Sequence, residues 1–230
     1  MVVAIPGTDL SFTMIKVNPG MFEMGATPEQ NSKEGDEKPV HRVIIRKPFY
    51  MGKTEVTQAV WEAVMGSNPS VFIDPAKPVD NISWLDAQQF INKLNTLTGQ
   101  NFDLPTEAQW EYAARGGHLG ALHRFSGSDD SQEVGWSNLN SMKRTHEVGK
   151  LKPNELGLYD MSGNVWELCR DFKKEYSKGT VTDPEETEGK DRVRRGGAWN
   201  SSEDQLRNAY RRRAPEDVVS LDTGLRLILE

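Results

Sequence analysis

The sequence predicts an α+β fold, and three observations point to it. Amphipathic helical patterns are confined to one stretch, residues 57–116; alternating or β-branched runs lie on both sides of it; and much of the rest is rich in Gly, Ser, Asp and Asn with no sustained period. The 230 residues suffice for a large core, and no linker composition divides residues 1–230, so one domain is expected.

From the N-terminus, Thr13 to Val17 and Met21 to Met24 flank the triplet Asn18-Pro19-Gly20, which predicts a hairpin. Gln30 to Lys38 is charged and poor in apolar residues, the composition of a mobile surface loop. Val40 to Arg46 alternates and predicts a strand that continues to Phe49-Tyr50.

Three helices follow. Thr57 starts the first and Gly66 closes it, with Val60, Trp61 and Val64 as its buried stripe. Ser83 caps the second, which buries Leu85, Phe90, Ile91 and Leu94 and ends at Gly99. In the third, Thr106 and Gln109 form a capping box, and Trp110, Ala113 and Ala114 face inward before Gly116-Gly117. From Gly117 to Pro153 the chain is mostly loop. Val193 to Trp199 and Gly224 to Leu229 predict core strands.

Composition narrows the chemistry. No apolar run approaches the ~18 residues of a membrane-spanning helix. A net charge of −6 argues against general nucleic-acid binding. The compartment stays open: a bacterial cell surface or periplasm if an upstream signal has been removed, otherwise the cytoplasm. Cys169, the single cysteine, excludes an internal disulfide, and its neighbours Trp166 and Leu168 predict a buried, inert thiol. His41, His118, His123 and His146 are scattered without zinc or iron spacing. No nucleophile elbow or P-loop is present.

The most information-dense stretch is Gly157-Leu158-Tyr159-Asp160-Met161-Ser162-Gly163-Asn164-Val165-Trp166-Glu167. Its glycines suit tight turns, Tyr159 and Trp166 suit a core, and Asp160 and Glu167 are hard oxygen donors of the kind calcium takes. The alternative is a turn entering a core strand with both carboxylates solvated. The basic run Arg207, Arg211, Arg212 and Arg213, with Tyr210 inside it, is either a recognition surface, a set of internal ion-pair partners or, less favoured, a phosphate site.

Several stretches together resemble the formylglycine-generating enzyme family, the sulfatase-modifying-factor domain. They are Gly20-Met21-Phe22-Glu23-Met24-Gly25, Glu55-Val56-Thr57, Pro78-Val79 with Ser83-Trp84, Leu104-Pro105-Thr106-Glu107-Ala108-Gln109-Trp110-Glu111, the glycine-rich stretch above, Arg195-Gly196-Gly197-Ala198-Trp199 and Gly224-Leu225-Arg226, in the family's order and covering nearly the whole chain. The resemblance implies an elaborated C-type-lectin-like fold with much irregular structure. It also implies a structural calcium with ligands at Asp160, Gly163, Val165 and Glu167. A second family calcium site, starting at Asn138 and Leu139, lacks its aspartate between Ser141 and Val148.

Oxidising members carry two copper-binding cysteines just after the Gly-Gly motif, where this chain has Ser201 and Leu206, so neither copper nor formylglycine chemistry is expected. Ligand-binding relatives, including variable proteins of diversity-generating retroelements, use the segment between Gly-Gly-x-Trp and Gly-Phe-Arg for recognition. Here that segment is Asn200 to Thr223, with Leu225 in place of the usual phenylalanine. The expectation is therefore a non-catalytic domain that binds a ligand, a protein first of all, through Trp199, Asn200, Ser201, Ser202, Tyr210, Arg212, Arg213 and Asp217. Arg207 and Arg211 are left out as internal partners. An enzyme of the family with altered chemistry is the second expectation, and a carbohydrate-binding module the third.

Overall fold

The computed structural model describes residues 1–230. Strands and helices follow one another as β1 (Val2–Ala4), β2 (Ser11–Val17), β3 (Gly20–Met24), β4 (His41–Ile45), β5 (Phe49–Gly52), α1 (Gln58–Met65), α2 (Trp84–Thr98), β6 (Phe102–Asp103) and α3 (Glu107–Ala114). After these come α4 (Ser131–Val134), β7 (Gly135–Trp136), β8 (Ser162–Gly163), β9 (Trp166–Phe172), β10 (Thr180–Thr182), β11 (Arg192–Arg195), β12 (Arg212–Ala214), β13 (Thr223–Gly224) and β14 (Ile228–Leu229). The order of strands is β1-β2-β5-β14-β6 in one sheet, β10-β4-β3 in a second, β12-β11-β9-β13 in a third and β7-β8 in a pair. This is the α+β architecture expected, with short strands and long irregular connections. No helix is long and apolar enough to cross a membrane.

Two cores result. The first packs α1 and α2 onto the five-stranded sheet, with Trp61 and Phe90 stacked at 4.8 Å between ring centroids. The second gathers Trp110, Tyr112, Phe49, Met51 and Cys169 around α3. All three helices start where their capping residues predict, with Thr57, Ser83 and Thr106 each accepting an N–H of the first turn, and Gly66 and Gly99 close α1 and α2 with left-handed φ of 83° and 68°; α3 ends at Ala114 with Arg115 as its C-cap, just short of the expected Gly116. Leu85 departs from its expected place in the buried stripe, remaining 43% exposed at the first turn of α2. α3 is buried on every face. Its two acids are not solvated: Glu107 receives Arg211, and Glu111 receives Arg195 and Arg115.

Four other expectations are corrected. β2 and β3 do not form a hairpin; β2 pairs with β1 and β5, whereas β3 pairs with β4. The turn between them is instead seated on α3, where Tyr112 Oη donates to the Asn18 carbonyl at 3.2 Å and stands where a Cβ on Gly20 would fall. Residues 40–50 are likewise two strands in two sheets, broken at Lys47-Pro48. The segment from Gln30 to Lys38 is not a free surface loop, because Gln30 and Glu37 are fully buried and Glu37 holds the Arg207 guanidinium through two bonds of 2.7 and 2.8 Å. Gly224 to Leu229 also divides, β13 joining β9 and β14 joining β5 and β6.

Candidate functional site

The C-terminal segment leaves the third sheet after β11, rejoins it at β12, which pairs with β11 as an edge strand, and ends in it at β13. Gly196 and Gly197, at φ 91° and 79°, take conformations that side chains rarely adopt, and a Cβ on Gly197 would press on Leu206 and the Gln205 carbonyl. At the far end, β13 lies parallel to β9, with Thr223 opposite Trp166 and Gly224 opposite Glu167. Buried ion pairs hold the middle. Arg207 binds Glu37 and Asp204, and Arg211 binds Glu107 through two bonds of 2.6 Å. Burial alone would raise the Glu107 carboxyl, but Arg211 and Arg195 hold it below its ordinary range. Arg207 and Arg211 are thus internal partners.

Of the residues expected at the surface, Asn200, Ser202, Arg212, Arg213 and Asp217 are exposed, while Trp199 and Tyr210 are half-buried. Ser201 is a correction: it is 2% exposed. Its Oγ accepts the Ala198 N–H at 2.9 Å and its carbonyl accepts Asn138 N–H, so the residue closes a turn and presents nothing outward. Trp199 stands edge-on to Phe72, with centroids 5.4 Å apart. Asn200 donates to Asp222 Oδ2 at 3.2 Å, and Ser202 starts the short 3-10 turn of Glu203–Leu206. Trp166, fully buried, underlies the segment: the Tyr210 ring lies 6.0 Å from it and the Arg212 guanidinium 5.4 Å. Arg213 is held only loosely, 3.5 Å from Asp191. Phe72 was missed from sequence; the only signal was an apolar triplet, Val71-Phe72-Ile73, in a loop between helices.

The positions that resemble the family's cysteines have structural occupants. Leu206 is fully buried in a small cluster with Phe125 and Val134. Cys169 is buried on β9, and burial, with the charges of Glu107 and Asp171, pushes its thiol well above the ordinary value.

The glycine-rich stretch turns sharply, with φ of 57°, 91° and 61° at Asp160, Gly163 and Asn164. A Cβ on Gly163 would lie 2.2 Å from the Trp136 carbonyl, so only glycine fits there. Neither carboxylate is solvated, against the second sequence alternative: Asp160 is 3% and Glu167 0% exposed. Both Glu167 oxygens are taken, by Arg226 at 2.6 to 3.0 Å and by Trp110 Nε1 at 2.7 Å. Asp160 Oδ2 accepts Gly149 N–H at 2.7 Å, but its Oδ1 has no partner.

Glu55, also fully out of solvent reach at 2% exposure, joins this group; Asn164 donates to its Oε2 at 3.3 Å, and its Oε1 is unpartnered. Burial, then the charges of Asp160 and Glu167, push the Glu55 carboxyl well above its ordinary range. Asp160 is pushed up to about 6, chiefly by burial. Glu167 thus pairs directly with the Arg226 guanidinium, and Asp160 and Glu55 lie close enough to feel its charge. No three acidic, histidine or cysteine side chains converge tightly enough to cage a metal by themselves, so an ion here would need carbonyl oxygens as well. The role of Glu55 was not legible from sequence, although Glu55-Val56-Thr57 was one of the matching motifs.

The chaperone protein LppX of Paenibacillus barcinonensis is 31% identical over 258 aligned positions, spanning 90% of this chain and 88% of that protein. The formylglycine-generating enzyme of Thermomonospora curvata is 33% identical over 80% of this chain and 65% of the enzyme. The chain spans less than half the length of several other curated relatives. Among solved structures, Treponema denticola variable protein 1 superposes with a TM-score of 0.89 at 28% identity, over 100% of this chain and 98% of that one. Residues 8–230 match the sulfatase-modifying factor enzyme 1-like domain, and the chain belongs to that family.

Proposed function

We propose that this chain is a non-catalytic member of its family that binds a protein ligand through the surface of residues 199–223, in the manner of a variable protein of a diversity-generating retroelement. One observation carries the reading. The two positions that resemble the family's copper-binding cysteines are a turn-closing serine and a core leucine, both buried, while the residues around them form an exposed, polar and aromatic surface on a rigid frame. A serine hydroxyl is not a soft copper ligand, and a leucine offers no donor at all. A surface fixed at both ends loses less entropy on binding than a free loop. The likeness to a variable protein over the full chain supports the same reading, as does the relative named as a chaperone, a class that acts on other proteins.

The catalytic alternative is tested by incubating the protein with copper, oxygen and a cysteine-containing sulfatase-motif peptide. The expected mass spectrum shows unmodified peptide, and turnover above a buffer control would overturn the reading. A neighbouring reverse transcriptase gene with a near-copy of the segment encoding residues 199–223 would support the retroelement part; a neighbouring sulfatase gene would count against it.

We also propose a structural calcium at the glycine-rich turn, with Asp160 and Glu167 and the carbonyls of Gly163 and Val165 as its ligand set. The donor chemistry fits a hard cation, since two buried carboxylate oxygens, on Asp160 and Glu55, have no hydrogen-bond partner and the cluster carries more negative charge than Arg226 neutralises. When bound, the ion supplies positive charge and no redox chemistry. Asp160 Oδ1 is the free oxygen among the ligands. Glu167 contributes charge, and joins the ion with an oxygen only when Arg226 or Trp110 yields it.

A further inference from the structure

Exposed apolar side chains are distributed unevenly over this molecule. Of 15 exposed large hydrophobic residues, seven lie on three loops that touch the backbone or ring of Trp199 and Ser201 or flank those that do. Val71 and Ile73, 52% and 68% exposed, flank Phe72, which meets the Trp199 ring edge-on. Leu139 and Met142, 58% and 77% exposed, sit on a loop whose Ser141 Oγ donates to the Trp199 carbonyl at 2.7 Å and whose Asn138 N–H donates to the Ser201 carbonyl. Val219 and Leu221, 52% and 43% exposed, come from the third loop, and the Leu221 carbonyl accepts from Trp199 Nε1. Two of these loops are outside the C-terminal segment.

The middle loop is also held in an unfavourable shape. Met142 and Lys143 are consecutive non-glycine residues with φ of 53° and 61°. Such conformations persist where surrounding contacts impose them, here the Ser141 bonds and the His146 ring stacked 3.8 Å from Trp136. Met142 is thereby presented to solvent instead of folding back.

The charges on this face complement the apolar content. In a chain of net charge −6, most surface arginines elsewhere are paired, as Arg42 with Glu23 and Arg46 with Asp183. Lys143, Arg144 and Arg212 are exposed and have no carboxylate partner; Arg144 faces the Met142 sulfur and Arg212 the Trp166 ring. Asp217 is the one exposed acid of residues 199–223 without a partner, because the partly exposed Asp204 and Glu216 are paired with Arg207 and Arg192 and Glu203 accepts from Ser131.

We propose that the three loops form one docking surface centred on Trp199, and that its occupant is an acidic protein segment carrying aliphatic or aromatic side chains. An apolar patch rimmed by unpaired cations is complementary to such a partner and to neither a sugar nor a basic one. The proposal rests on the reading of residues 199–223 as a recognition surface, and adds to it loops 71–73 and 138–143 and the chemistry of the partner.

The test immobilises the full chain and selects from a phage-displayed library of random linear peptides. Selected sequences should be enriched in Asp and Glu together with Trp, Phe, Leu or Ile. The double variant Ile73→Ser/Leu139→Ser should weaken a synthetic selected peptide at least tenfold by fluorescence anisotropy, with the thermal melt unchanged. Met142→Thr, at a side chain in almost full contact with solvent, gives the same readout should the double variant fold poorly. High salt should weaken binding severalfold. If Asn200→Ala and Arg212→Ala abolish binding while the loop variants leave it intact, this inference falls and the recognition-segment reading stands. If neither set matters, both fall. Enrichment of Lys and Arg, or failure to select any peptide, counts against the inference.

Discussion

Arg207 and Glu37, 170 residues apart, face each other in a fully buried, two-bond ion pair. The contact ties the N-terminal charged loop to the underside of the C-terminal segment, and Asp204 takes the remaining guanidinium edge at 2.8 and 3.1 Å. It makes two irregular segments each other's support.

Removing one partner leaves a buried charge with a single half-exposed acid beside it. Glu37→Ala should therefore cost about 3–5 kcal/mol of stability by urea denaturation. A loss under ~1 kcal/mol would show that residues 30–38 are not held as described.

Calcium should raise the melting temperature of chelator-treated protein. Binding to the folded state alone adds about 2.7 kcal/mol at a hundredfold excess over Kd. Asp160→Asn should abolish the response and Glu55→Gln should weaken it. Melting curves indifferent to EDTA, together with silent titration calorimetry, would remove the ion from the account.

Asp171 gives a pH dependence of opposite sense to that of a salt-bridged acid. It is 4% exposed, accepts N–H bonds from Glu107 and Glu186, and is pushed up to about 7 by burial and by the Glu107 charge. Below about pH 4 the carboxyl is neutral in both folded and unfolded chains. As pH rises to about 7 the unfolded chain has released its proton while the fold retains it, so stability falls across that window, by up to about 4 kcal/mol. Asp171→Asn should flatten this slope in urea titrations at pH 4.5, 5.5 and 7. An unchanged slope would assign the dependence elsewhere.

Within the proposed recognition segment, residues 199–223, exposed and buried residues should separate experimentally. Tyr210→Ala and Arg212→Ala should each cost ~2 kcal/mol of affinity for a selected ligand while leaving the melt in place. Ser201→Ala should do the reverse, losing ~1 kcal/mol of stability with the buried Ala198 N–H left unpaired, at constant affinity. Equal effects on binding from all three would contradict the assigned burial.

What the sequence determined by itself is local or motif-borne. Thr57, Ser83 and Thr106 announce their helices because a capping oxygen acts within three residues, and the order of the glycine-rich, Gly-Gly and Gly-Leu-Arg motifs carries the family. Tertiary structure decided what depends on partners distant in the chain. Asn18-Pro19-Gly20 reads as a hairpin until Tyr112 takes its place on the turn, and residues 30–38 read as solvent-facing until Arg207 neutralises Glu37. The same holds for Ser201, a polar residue whose hydroxyl is spent on Ala198, and for Glu55, whose proximity to Asp160 and Glu167 no spacing rule encodes. A polar side chain is exposed or buried according to whether a partner reaches it, and in a chain with so little regular structure those partners are set by the fold alone.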